Sequence, residues 1–281
     1  MLDRSDPRPA LTVTLAPLDA DPRRGLEVAA TLPIRGVQVS ATQPGTRPRD
    51  LDRSGRRDLV SAARRRELGI AGVDAWFPTD ALLEDATVDD AVGRLVEAVE
   101  LAADLGRVGV STRLPADGAD AAIRAVIAVA SRLGVTVIDH AVPPRGRVVR
   151  SGRAGPRGTA GNVSPTVASG LIVPGEVEPV AEETSVGDAL EGLAVGIDPP
   201  AWLVAGLDLL DAAGQGVAAI RLADLTADGM RVPPGDPDGR VDAASLVAVA
   251  RTGGFDGLPL IDARRWSRPI EGIRSTIDRV G

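Results

Sequence analysis

Asp198, Asp262, His140, Arg221 and Asp224 stand at or near the ends of short apolar runs, "LAVGID", "LPLIDAR", "GVTVIDHA" and "VAAIRLAD". Carboxylates and an imidazole can ligate a divalent cation or move a proton next to a carbonyl. A guanidinium stays protonated, so it can only pair with a carboxylate or bind an anion. His140 is the one histidine of the chain. Each residue alone has a plainer reading, because an Asp after a strand is often a helix N-cap or turn former. That reading is strongest for Asp198, before "PP", and for Asp224, before "LTADG". Recurrence at equivalent positions is what sets the group apart, and recurrence depends on the elements that carry it.

Eight strand-like runs, rich in Val, Ile and Leu and bounded by Gly or Pro, follow one another at 10–17, 36–41, 70–77, 108–114, 134–141, 193–198, 217–224 and 258–264. Helical periodicity lies between them. Val88, Ala91, Val92, Leu95, Val99 and Ala102 form one stripe, Ile123, Val126, Ile127 and Ala130 a second, and Leu59, Ala62 and Ala63 a third. Asp21 then Pro22 reads as N-cap and first helical residue, and Thr87 with Asp90 resembles a capping box. Strand then helix, repeated through the chain, predicts a single-domain α/β fold, an eight-stranded parallel (β/α)8 TIM barrel spanning 1–281. Residues 144–185 break the rhythm as a long Gly/Pro/Arg-rich insertion after the fifth strand. The segment is read as a mobile insertion, or as a basic lid carrying Arg145, Arg147, Arg150, Arg153 and Arg157.

Strand side chains alternate between faces. With the bulky aliphatics turned to the helices, the inward residues include Gln38, Asp74, Trp76, Ser111, Arg113, His140, Asp198, Arg221 and Asp262. Those nearest the strand ends, Trp76, Arg113, His140, Asp198, Arg221 and Asp262, gather at the C-terminal mouth, where such barrels place active sites.

Composition narrows the chemistry. All 32 basic residues are arginine, and Lys, Cys and Tyr are absent. A Schiff-base lysine, a thiol nucleophile, a tyrosine acid and thiolate or multi-histidine metal sites are therefore excluded. Carboxylate-rich sites suit Mg²⁺ or Mn²⁺. The net charge of −7 argues against nucleic-acid affinity. No apolar run reaches the ~20 residues of a membrane span, and "MLDRSDPRPA" has no apolar signal region, so a cytoplasmic protein is expected.

The segments "GVQVSATQPGTRPRDLDRSGRRDL", "IAGVDAWFP", "AVELAADLGRVGV", "VGIDPPAWLVAG", "AIRLADLTADG" and "GFDGLPLID" resemble the sugar phosphate isomerase/epimerase group, the xylose-isomerase-like barrels, along nearly the whole chain. The resemblance implies one divalent metal at the mouth, held by a Glu ending strand five, an Asp ending strand six, a His ending strand seven and an acid ending strand eight. Here Asp198 and Asp262 match, and His140 or Asp139 takes the first position, with parity favouring His140. Arg221 replaces the strand-seven histidine, and Ala201 stands where the group often has another.

Two readings follow. In the first, His140, Asp198 and Asp262 hold Mn²⁺ or Mg²⁺, less readily Zn²⁺, in a sugar or sugar phosphate isomerase or epimerase. His140, Asp224 and Arg221 then serve proton transfer, and Gln38, Trp76 and Arg113 line the substrate. In the second there is no metal, and Arg221 and Arg113 bind a sugar or anionic ligand without isomerase activity. The expected partner is a small-molecule sugar, not nucleic acid or membrane, and the resemblance suggests a homo-oligomer.

Overall fold

The structure, a computed structural model, describes residues 8–144, 148–150, 183–185 and 190–280. Strands Thr12–Thr14, Gly36–Ser40, Gly69–Asp74, Gly109–Thr112, Val137–Asp139, Leu193–Ile197, Ala219–Leu222 and Leu260–Ile261 form a closed barrel. They are numbered one to eight below. Every neighbouring pair is parallel, and strand one closes the ring by pairing with both strand two and strand eight. Each strand is shorter than its apolar run.

Helices α1 (Pro22–Ala29), α2 (Arg53–Arg64), α3 (Val88–Asp104), α4 (Asp120–Leu133), α5 (Pro199–Val204), α6 (Leu209–Gly214), α7 (Ala243–Thr252) and α8 (Pro269–Val280) surround the barrel. The predicted stripes are the buried faces: Leu59, Ala62 and Ala63 on α2, and Ile123, Val126, Ile127 and Ala130 on α4. Asp21 caps α1 by accepting from the Arg23 amide at 2.9 Å. The predicted capping box on α3 does not form. The Thr87 hydroxyl donates instead to the Ala81 carbonyl at 3.0 Å, tying the helix start to the preceding turn.

The core lies between strands and helices. Val13, Val37, Val39, Val73, Val110, Val137, Ile197, Ile220, Leu222 and Ile261 are buried there, the outward faces expected from parity. Gln38, Ser111, Asp74, His140, Arg221 and Asp262, on the other parity, are also buried. The upper barrel interior is thus polar where branched aliphatics are usual. Among the described residues no helix is long and apolar enough to cross a membrane. Most of 144–185, including Arg145, Arg147, Arg153 and Arg157 of the proposed lid, lies outside the described residues. The described parts include an antiparallel ribbon pairing 148–150 with 183–185.

Candidate functional site at the barrel mouth

Three aspartates and three arginines interlock at the strand ends. Arg221, rising from strand seven, is fully buried. It donates to Asp74 at 2.6 Å, to Asp262 at 3.2 Å and to the Gln38 side-chain carbonyl at 3.4 Å. Arg264, three residues beyond strand eight, grips Asp262 with its Nε at 2.8 Å and a terminal nitrogen at 2.5 Å, and reaches Asp74 at 3.4 Å. Arg231, on the turn after strand seven, holds both oxygens of Asp198 at 3.1 and 3.2 Å and touches Asp262 at 3.0 Å. The six formal charges cancel. That balance makes burial tolerable, since an ion stripped of its partner in such a place costs several kcal/mol.

Trp76 lies across this network. Its Nε1 donates to Asp74, and the Arg264 and Arg221 guanidiniums sit 4.7 and 4.9 Å from its ring centroid. Burial raises the Asp262 carboxyl, but the Arg221, Arg264 and Arg231 charges outweigh it and hold the group well below the usual range. Burial alone would lower the Arg264 guanidinium. Its bond to Asp262 and the Asp74 charge raise it instead.

His140 sits deeper. Its ring lies against Gly196 so closely that a Cβ there would stand 2.3 Å from a ring carbon. Its Nε2 is 3.2 Å from the Ser111 hydroxyl, which also accepts from Gln38 at 3.3 Å. Burial first, then the Arg221 and Arg264 charges, push its pKa well below 6.5, so the imidazole is neutral at physiological pH. Neighbouring Asp139 accepts from the Leu114 and Ala141 amides at 3.0 and 2.9 Å, pinning two loops.

Two cavities separate the predicted residues. The mouth cavity, about 560 Å³, is lined by Trp76, Arg113, Asp198, Arg231, Arg264 and Arg265 among others. Gln38, His140 and Arg221 instead border a cavity of about 500 Å³ inside the barrel. Asp224 joins neither set. Its carboxylate accepts from the Leu225, Arg240 and Val241 amides at 2.7, 2.8 and 3.0 Å, bracing the segment that follows strand seven. Asp198 precedes α5 but makes no side-chain cap there, because its oxygens belong to Arg231.

These residues do not fit a divalent cation. Asp198 and Asp262 are each claimed by guanidiniums, Arg221 cannot ligate, and the His140 Nε2 faces Ser111 rather than the two carboxylates. A dication would add two positive charges to a set already neutral. What the mouth can do is bind an anion. Its lining carries Arg231 and Arg264, neutralised within the network, and two further arginines. Arg113 and Arg265 are exposed and have no carboxylate partner among the described residues, and Arg265 holds a left-handed backbone at φ 65°. Arg231, Arg264, Arg265 and Asp74 were not among the predicted site residues. Asp74 and Arg264 share the inward parity of their strands, a usable signal, whereas Arg231 lies on a turn with no periodicity to mark it.

No family model and no curated relative matches the sequence. Solved structures do. The xylose isomerase domain protein of Planctomyces limnophilus superposes with a TM-score of 0.62 at 14% identity, covering 97% of this chain and 95% of that one. D-psicose 3-epimerase of Clostridium cellulolyticum H10 gives 0.64 at 12%, covering 96% and 97%. A sugar phosphate isomerase/epimerase of Parabacteroides distasonis gives 0.62 at 10%, covering 98% and 94%. The chain therefore has the fold of the xylose-isomerase-like sugar isomerases and epimerases.

Proposed function

We propose that this barrel takes a small anionic sugar, a sugar phosphate or sugar acid, into its mouth and holds it with arginines, without a divalent cation. The carrying observation is the mouth lining: Arg113 and Arg265, with no carboxylate partner among the described residues, face the same cavity as Arg231 and Arg264 of the neutral network. Guanidinium forks bind phosphate and carboxylate in a bidentate manner. The fold shared with sugar isomerases and epimerases supports the same class of reaction, proton transfer next to a carbonyl. Asp198 is the base at hand, since His140 lies in the other cavity. The guanidiniums of Arg231 and Arg264 would carry the charge developing on the carbonyl oxygen, as preorganised donors do in such steps.

A second reading, ligand binding without turnover, is favoured by one feature. Both oxygens of Asp198 already accept from Arg231, so neither stands open toward a substrate proton. The two readings separate experimentally. In EDTA, glucose 6-phosphate, fructose 6-phosphate and gluconate are titrated calorimetrically beside neutral glucose and fructose, and exchange of the proton next to the carbonyl is followed by NMR in D₂O. Binding of the anionic sugars alone supports the proposal, and binding of neutral sugars alone overturns it. Asp198→Asn frees Arg231, so anion affinity should hold or rise while any exchange disappears. Exchange that persists in the variant removes Asp198 as the base.

A further inference from the structure

Trp76 borders a second cavity at the barrel rim. This one is about 330 Å³ and includes Arg47, Arg49, Arg94 and Glu97 in its lining. The residues come from the segment after strand two and from α3. Arg94 is neutralised by Asp90 at 2.7 Å, one turn away on α3. Arg47 is oriented by a bond from its Nε to the Thr42 carbonyl at 3.2 Å. Arg49 is exposed and has no carboxylate partner among the described residues. Trp76 is therefore a fixed wall, with its indole nitrogen tied inward to Asp74, between two arginine-lined hollows.

We infer that the ligand is a sugar carrying an anionic group at each end, one end received at Arg113 and Arg265 and the other at Arg47 and Arg49, with Trp76 between them. The inference rests on the anionic-sugar reading of the mouth and names its substrate class. Arg113 and Arg265 on one side of Trp76 and Arg47 and Arg49 on the other have no carboxylate partner among the described residues, and an anionic group on each side would neutralise them. The mouth alone lies within the volume range of small-molecule sites, so a monophosphate fits there and leaves the second set of cations unused. A two-ended anion uses both.

Calorimetry in EDTA with fructose 6-phosphate and fructose 1,6-bisphosphate tests this, using the whole chain and the variants Arg49→Ala, Arg47→Ala/Arg49→Ala and Arg132→Ala. Arg132 is exposed near the end of α4, at the opposite end of the barrel from the mouth, and serves as the control for lost charge. The bisphosphate should bind at least about tenfold more tightly, roughly the worth of one charge-assisted hydrogen bond. Arg49→Ala should remove most of that advantage, leave monophosphate affinity unchanged and match the double variant in direction, while Arg132→Ala changes neither. Equal affinity for the two sugars overturns the inference. So does a loss on Arg49→Ala that the monophosphate or Arg132→Ala shares equally. In each of those cases monophosphate binding leaves the mouth reading standing. Failure of both sugars to bind sinks the mouth reading, and this inference with it.

Discussion

At the residue scale, His140 is a neutral imidazole packed where a charge has no room. Its folded pKa lies below the 6.5 of the free side chain, chiefly from burial and then from Arg221 and Arg264. The unfolded chain therefore binds the extra proton first as pH falls, and stability rises with pH through this window. Being the sole histidine, His140 dominates the interval from about pH 5 to 6.5. Asp262, depressed by its arginines, acts in the same direction but only nearer and below its ordinary 3.8. Urea denaturation at pH 7.5 and 5.5 should show the protein losing up to about 1.4 kcal/mol per pH unit below 6.5. His140→Asn should flatten that slope. An unchanged slope in the variant would mean the imidazole is solvated rather than buried.

At the element scale, the turn after strand seven decides what the mouth can bind, because it carries Arg231. That turn is a small antiparallel ribbon, Asp224–Leu225 against Arg231–Val232, anchored by the Asp224 carboxylate on the Arg240 and Val241 amides. Asp224→Ala leaves the buried Leu225 amide and the half-buried Arg240 and Val241 amides without this acceptor, a loss of about 1–3 kcal/mol. It should also weaken anionic-sugar binding severalfold through a displaced Arg231. If Asp224 instead served catalysis directly, turnover would fall with binding unchanged. Denaturation and calorimetry on the same variant tell the two apart. The strands and helices that support this turn were readable from periodicity, since a buried face imposes period 2 or 3.6 on the residues that form it. Of the turn only the plain reading of Asp224 as a turn former was readable, because nothing periodic fixes the direction of Arg231 or brings the Arg240 and Val241 amides to the Asp224 carboxylate. The Asp198 position was found by strand parity, but its Arg231 partner was not, since an ion pair between residues 33 apart in sequence leaves no local pattern.

At the scale of the whole molecule, the barrel keeps the polar mouth typical of its architecture and fills it with a neutral lattice of three carboxylates and three guanidiniums. Sequence parity located the mouth. It could not show that Arg231 and Arg264 converge on the carboxylates that the resemblance implied for metal. That convergence bears on stability as well as binding. A cation occupying a native site at a hundred times its dissociation constant stabilises a fold by about 2.7 kcal/mol, which for a chain of this size is a rise in melting temperature of roughly 5–10 °C. With every carboxylate of the lattice already bonded to arginine, Mn²⁺ or Mg²⁺ has no vacant donor and must displace a buried ion pair to enter. Melting curves in EDTA and in millimolar Mn²⁺ or Mg²⁺ should therefore coincide to within about 1 °C. Sugar phosphates, which add to the arginines without breaking the lattice, should raise the midpoint in either buffer, and less so as salt screens the mouth. Arg221→His supplies the imidazole that the strand-seven position holds in the family pattern, and it removes one of the guanidiniums from Asp74 and Asp262. If the lattice is what excludes the ion, this variant should melt several degrees lower in EDTA and recover part of that loss in Mn²⁺. A wild-type protein that itself gains several degrees in Mn²⁺ would show that the arginines yield their carboxylates to metal.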